Sequence, residues 1–186
     1  GLLSTSEINA TLTGDKSLSS RPMKRIIDPL QEMNVSITHN NGLLPIKVFN
    51  HNNQYIPINH TLNVGSAQVK SSILLAALNA KGTTKIVEKI PSRDHTEIML
   101  KFLGANLIKE KNVIKLTSPN FLKPKELKIP GDFSSAAFVI IAVLLSKKSK
   151  VTLKDVGLNY YRTGLLDVLK KMNANITVKN KRKFKW

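Results

Sequence analysis

Ser66, Gln68 and Lys70 stand close together in "NVGSAQVKSSILLAAL", Asn63 to Leu78, where polar residues open an apolar run. A strand ending near Gly65 and a helix capped by Ser66 would leave backbone N–H groups unpaired at the turn. Those groups, with the helix dipole, favour a phosphate or a carboxylate. Ser66 offers a hydroxyl, Gln68 an amide that donates and accepts, and Lys70 a nearby cation. The same residues also make an ordinary serine cap with a glutamine on the first turn, so the local pattern leaves both readings open. The GxxxxGK[ST] spacing of a nucleotide phosphate loop is absent.

Three arginines form a second chemical feature. Arg21, Arg93 and Arg162 precede amphipathic runs in "SSRPMKRIIDPLQEMNVSI", "PSRDHTEIMLKFLGANLI" and "YYRTGLLDVLKKMNANITV". Pro22 suits a first helical position, because its φ is already helical and its missing N–H would be unpaired there. Ser19 or Ser20 can cap. A guanidinium at the positive end of a helix is the less favoured choice, so Arg21 calls for an anion beside it. Pro29 predicts a bend or a short irregular helix. Asp132, Ser134 and Ser135 open a further apolar run, where they satisfy helix N–H groups without any ligand. Arg162 and Thr163 are read as fixing the helix that follows them.

These residues are positioned by a repeat returning at roughly seventy residues, the first thing to look for in a sequence. Each arginine-led helix stops at Asn34, Gly104 or Asn173, residues that tolerate a left-handed C-terminal cap. Upstream, "GSAQVKSSILLAALNAKGTTKIV" and "GDFSSAAFVIIAVLLSKKSKVTL" each run from a glycine and a cap into an almost wholly apolar helix and out into a β-rich segment. A helix apolar all round is a buried one. The repeat therefore reads strand, buried helix, strand, outer helix, strand, strand, an α/β fold with buried helices and outer sheets. "LLSTSEINATL" matches "LLSKKSKVTL", so Gly1 to Ser4 is expected to be the tail of a buried helix, and Trp186 falls where a further strand should pair. The expectation is a piece of a longer protein. "SPNFLKPKELKIPGD", with three prolines, reads as a crossover between two bodies. The expected domains are 1–120, one partial and one complete repeat; 121–131, the crossover; and 132–186, the first repeat of a second domain.

Composition narrows the function classes. The chain has no cysteine, which excludes disulfides and a thiol nucleophile, and its four histidines show no ligand spacing. Neither metal nor cofactor is expected. The longest apolar run, Ala136 to Leu145, is too short to span a bilayer, and no signal-peptide pattern opens the chain. A cytoplasmic protein without membrane partners is expected. The net charge of +17 is spread along the chain, and aromatics are only 5%. That favours general solvation and attraction for small anions over nucleic-acid binding. The terminal "KNKRKFKW" reads as a strand edge and loop rather than a nucleic-acid arm.

"GDKSLSSRPM", "GSAQVKSSILLAAL", "PSRDHTEIMLKFLGA", "PGDFSSAAF" and "RTGLLDVLKKM" occur in the order seen in the 5-enolpyruvylshikimate-3-phosphate synthase family, and the chain resembles that family over nearly its whole length. Its glyphosate-tolerant bacterial branch is the most similar. The resemblance implies a two-domain enolpyruvyl transferase fold of six repeated units. It also implies transfer of the enolpyruvyl group of phosphoenolpyruvate to the 5-hydroxyl of shikimate 3-phosphate, with release of phosphate. Both substrates are anions, which would answer the need of Arg21. By the same resemblance, Arg21 grips phosphoenolpyruvate, Ser66 and Gln68 hold shikimate 3-phosphate with Gln68 also near the enolpyruvyl carbon, and Ser92 and Arg93 help bind the shikimate phosphate. For Arg93, a salt bridge to Asp94 or Glu97 is the alternative. The family's Lys-Ser pair, Asn-x-Gly-Thr loop, general-base Asp and late Lys-Arg cluster lie outside these residues. No catalytic residue is therefore assigned, the piece is expected to be inactive alone, and the complete protein is expected to be a monomer.

Three rivals make different predictions. A UDP-N-acetylglucosamine enolpyruvyl transferase shares the repeats but usually carries a reactive cysteine, and the "SAQVKS" helix start favours the shikimate enzyme. A basic nucleic-acid-binding α/β module predicts oligonucleotide affinity with a steep salt slope. A purely structural repeat array predicts no affinity for shikimate 3-phosphate.

Overall fold

The computed structural model describes residues 1–49, 54–119 and 121–182, in two bodies, Gly1–Pro124 and Lys125–Trp186. The fold is mixed α/β. The first body opens with a 3-10 turn (Leu3–Thr5), then β1 (Ala10–Leu12), α1 (Lys16–Ser19), α2 (Lys24–Glu32), β2 (Ser36–Asn40) and β3 (Leu43–Phe49). It continues with β4 (Asn59–Leu62), α3 (Ala67–Ala77), β5 (Gly82–Glu88), α4 (His95–Phe102), β6 (Leu107–Glu110) and β7 (Val113–Ser118). The second body holds α5 (Phe133–Leu145), a 3-10 turn (Tyr160–Arg162) and α6 (Gly164–Lys171).

The repeat is visible in the strand order. One sheet runs β1-β3-β2 and the other β4-β5-β7-β6, so β1, β2 and β3 are arranged as β5, β6 and β7 are. Among the described strands, β4 and β5 pair in parallel and the other pairs are antiparallel. From β4 to β7 the expected order of strand, buried helix, strand, outer helix, strand, strand is realised in full. Alternation along β5 turns Thr84, Ile86 and Glu88 inward, and α3 packs there with Ile73, Leu74, Ala76 and Ala77 buried. Burial of that face, rather than intrinsic propensity, holds such a helix in place.

The three outer helices stop in one way. Asn34, Gly104 and Asn173 have φ of 65°, 98° and 57°. In each case the N–H of the next residue reaches back to a buried leucine carbonyl: Val35 to Leu30, Ala105 to Leu100 and Ala174 to Leu169. The left-handed residue itself donates to Gln31, Lys101 or Lys170. These are Schellman stops, in which asparagine or glycine accepts the positive φ and orphan carbonyls are satisfied.

Several expectations need correction. α2 begins at Lys24, after Met23, so Pro22 lies ahead of the helix and neither Ser19 nor Ser20 caps it. The reason is the intervening α1, whose Asp15 side chain accepts from the Leu18 N–H at 2.7 Å and draws Ser19 into its own turn. α2 runs through Pro29 as nine residues, with that ring buried on the core side. At the start of the chain a 3-10 turn follows Leu2, with Ser4 and Thr5 buried.

In the second body, α5 is not buried. Phe133 and Ala136 are covered, but Phe138 is 80% and Leu145 81% exposed. The segments "SKVTL" and "NITV" are not strands, and a single parallel bridge, Gly131 to Val156, is the trace of the pairing that β4 and β5 make. Strands and a buried helix require each other, and among the described residues of this body no sheet covers α5. Residues 121–130 carry neither helix nor strand. Lys179 to Arg182 of the basic run are irregular, and residues 183–186 lie outside the described ones. No helix among the described residues is long and apolar enough to cross a membrane.

Candidate functional site

Parallel pairing of β4 and β5 brings both strand ends to one edge, and α3 and α4 start there side by side. In open α/β sheets this carboxyl edge is where ligands bind. Gly65 allows the two turns to touch: a Cβ there would lie 3.1 Å from the Ile90 carbonyl oxygen and 3.3 Å from its side chain. Ser66 caps α3, its hydroxyl accepting the Val69 N–H at 3.4 Å. That leaves the hydroxyl hydrogen available to a ligand. Across the gap, Ser71 and Thr96 link α3 to α4 through their hydroxyls at 2.6 Å.

Between the two helix starts lies a cleft of about 220 Å³, lined by Ala67, Gln68, Ser71, Arg93, His95 and Thr96. Arg93 is half-buried and makes no ion pair among the described residues. The suggested alternative, a bridge to Asp94 or Glu97, does not form, because Lys109 lies 4.0 Å from Asp94 and 3.3 Å from Glu97. Gln68 accepts from Arg25 Nη2 at 2.9 Å through its Oε1. The cleft therefore offers a guanidinium and an amide N–H₂, a lining suited to an anion carrying hydroxyls.

Beneath the cleft the charges are used internally. Lys70, expected as a cation near the ligand, is fully buried, 2.8 Å from Glu97 and 3.1 Å from Glu88. Glu88 also accepts the Ser92 N–H at 3.1 Å and the Ser92 hydroxyl at 2.5 Å, while Lys70 donates to the Ser92 carbonyl at 3.4 Å. Taking these charges out of water is tolerable because each is paired with an opposite charge, although Glu97 Oε2 has no hydrogen-bond partner among the described residues. The network holds the turn whose next residue is Arg93. Ser92 is thus buried and bound to Glu88, and it does not line the cleft.

The second body gives the same corner a different filling. Gly131 and Asp132 stand where Gly65 and Ser66 stand, and Arg162 where Arg93 stands. Asp132 caps α5 by accepting the Ser135 N–H at 2.9 Å, as the cap reading expects. Arg162 donates to the Asp132 carboxylate at 2.5 Å and to the Ser134 hydroxyl at 2.6 Å. The Ser135 N–H first, and then Arg162, hold the Asp132 carboxyl below its ordinary value. In this repeat the arginine meets a carboxylate of the chain itself; in the other, serine stands at the cap and Arg93 is left without one.

Of the residues singled out in the sequence, Gln68 and Arg93 share the cleft, and Ser66 stands one residue from its lining. Arg21 does not line it. It lies exposed between α1 and α2, its N–H bonded to the Leu18 carbonyl at 3.1 Å. Arg25 is the α2 residue that reaches Gln68. The sequence signal for it was present, since Arg21 and Arg25 are four residues apart and only the helix start decides which one meets α3. His95, Thr96 and Ser71 were likewise not singled out.

Comparisons with known proteins give the family. The sequence model of the family described as EPSP synthase (3-phosphoshikimate 1-carboxyvinyltransferase) matches residues 1–185. A 3-phosphoshikimate 1-carboxyvinyltransferase of Streptococcus pyogenes serotype M4 is 46% identical over 186 residues, covering 98% of this chain and 43% of its own length. That of serotype M49 is 45% identical over 184 residues. A solved EPSP synthase of Acinetobacter baumannii superposes with a TM-score of 0.83 at 41% identity, over 97% of this chain and 41% of that one. The chain thus spans less than half the length of the curated relatives it matches, and it belongs to the EPSP synthase family.

Proposed function

We propose that the chain supplies the shikimate 3-phosphate cradle of an enolpyruvyl transfer site. In the reaction the 5-hydroxyl oxygen of shikimate 3-phosphate bonds to C2 of phosphoenolpyruvate and gives up its proton to a base, while C3 of the opened double bond gains a proton from an acid. Elimination then returns that C3 proton to solvent or base and expels inorganic phosphate. Arg93 and the Ser66 hydroxyl take the shikimate phosphate, Gln68 lies against the ring and near the enolpyruvyl carbon, and Ser92 contributes by fixing the turn before Arg93. Arg21 takes phosphoenolpyruvate. No residue of this chain is given the proton transfer. Residues 1–120 belong to one domain, 121–131 to the crossover and 132–186 to the next domain, in a cytoplasmic, monomeric enzyme.

The observation that carries this reading is the contrast between Arg93 and Arg162. Arg162 is neutralised by Asp132, whereas Arg93 faces a cleft with Gln68 and no carboxylate. A ligand phosphate completes the Arg93 corner as Asp132 completes the Arg162 corner. Calorimetric titration of the chain tests it. Shikimate 3-phosphate should bind in preference to shikimate, and Arg93→Ala and Gln68→Ala should each weaken binding, the charged contact by about ten- to a hundredfold. Equal affinity for the two ligands, or indifference to both substitutions, would overturn the reading.

A further inference from the structure

We infer that Arg25 is a positioning residue for Gln68: its guanidinium occupies the amide oxygen, so that Gln68 presents its N–H₂ to whatever enters the cleft. The inference rests on the reading of the cleft as a shikimate 3-phosphate site for its consequence in binding, but not for the contact itself. Arg25 is the second residue of α2 and Gln68 the second residue of α3, and Nη2 donates to Oε1 at 2.9 Å across 43 residues of sequence. A glutamine amide carries its acceptor and its donor on one planar group. Once the oxygen is fixed by a cation, the nitrogen is directed elsewhere.

The last torsion of a free glutamine is broad and roughly two-fold, so an unrestrained Gln68 would present either end. A carbonyl oxygen facing the oxygens of an anionic ligand repels them unless they carry hydrogen; an N–H₂ donates to them. Arg25 removes the unfavourable choice before the ligand arrives. Its ordinary helical partner would be Asp28, one turn on, but no ion pair between them forms among the described residues. The guanidinium is turned to the next repeat instead. Arg25 therefore joins α2 of one repeat to the ligand-facing start of α3 in the next.

The test combines two readouts on the chain. In the free protein, relaxation of the Gln68 side-chain ¹⁵N signal should report a restrained amide that becomes mobile in Arg25→Met and stays restrained in Arg25→Gln, which keeps a donor without charge. In titrations with shikimate 3-phosphate, Arg25→Met should weaken binding about three- to tenfold. Arg25→Gln should recover most of that loss, and Arg25→Met should have no further effect in a Gln68→Ala background. An equally mobile amide with and without Arg25 would overturn the inference. A loss persisting in the Gln68→Ala background would overturn it too, because Arg25 would then act by its charge or by supporting the fold. If the chain binds no shikimate 3-phosphate while the amide is restrained by Arg25, the ligand assignment falls and the positioning stands.

Discussion

The meaning of an arginine beside a helix start is set by the anion it meets. Arg162 meets Asp132, and the cap and the guanidinium satisfy each other. Arg93 has Ser66 in the corresponding place, a cap without charge. Ser66→Asp should therefore convert the ligand corner into the self-satisfied one. It should pair with Arg93 and stabilise the start of α3 by about 0.3–1 kcal/mol. It should also cost about tenfold or more in affinity for shikimate 3-phosphate. Thermal melts and titration of the variant check both parts; unchanged affinity would mean that Arg93 does not receive the phosphate. Lys70 teaches the converse lesson. Its partners Glu88 and Glu97 lie on β5 and α4, so nothing within its own helix reveals that its charge is spent in the interior.

At the scale of elements, local chemistry was legible and registration was not. Asn34, Gly104 and Asn173 announce the three helix stops because a positive φ is a one-residue requirement. Ser66 and Asp132 announce two helix starts because capping an N–H with a side-chain oxygen is likewise a one-residue requirement. The start of α2 escaped, because Arg-Pro after two serines fits an N-terminus equally well whether or not α1 has already claimed Ser19. Burial of α5 escaped for a larger reason, since a covering sheet is not a property of the helix.

The α5 cap also carries a pH dependence. The folded Asp132 carboxyl titrates below its ordinary 3.8. Its contribution is therefore complete above that value and is lost as pH falls through the lower, folded one. Acidification from about pH 5 to about pH 2 should weaken the start of α5, and Asp132→Asn should flatten that dependence. Amide exchange at Ser135 measures it directly; an acid limb unchanged by Asp132→Asn would show that other carboxylates set it.

For the molecule as a whole, the net charge of +17 attracts any anion, so affinity alone does not identify a site. Unspecific attraction is largely screened beyond about 8 Å at physiological salt, whereas a phosphate seated on Arg93 is not. The deciding measurement is the Nε–H signal of Arg93, followed by NMR at physiological ionic strength during titration with shikimate 3-phosphate. Arg162 serves as the internal control, because its guanidinium is already occupied by Asp132. The predicted result is a saturable shift of Arg93 together with the Gln68 amide, a still Arg162, and no shift of Arg93 with shikimate lacking the phosphate. An Arg93 signal that stays in place while shikimate 3-phosphate binds, or that moves equally with shikimate, would contradict the assignment of this cleft.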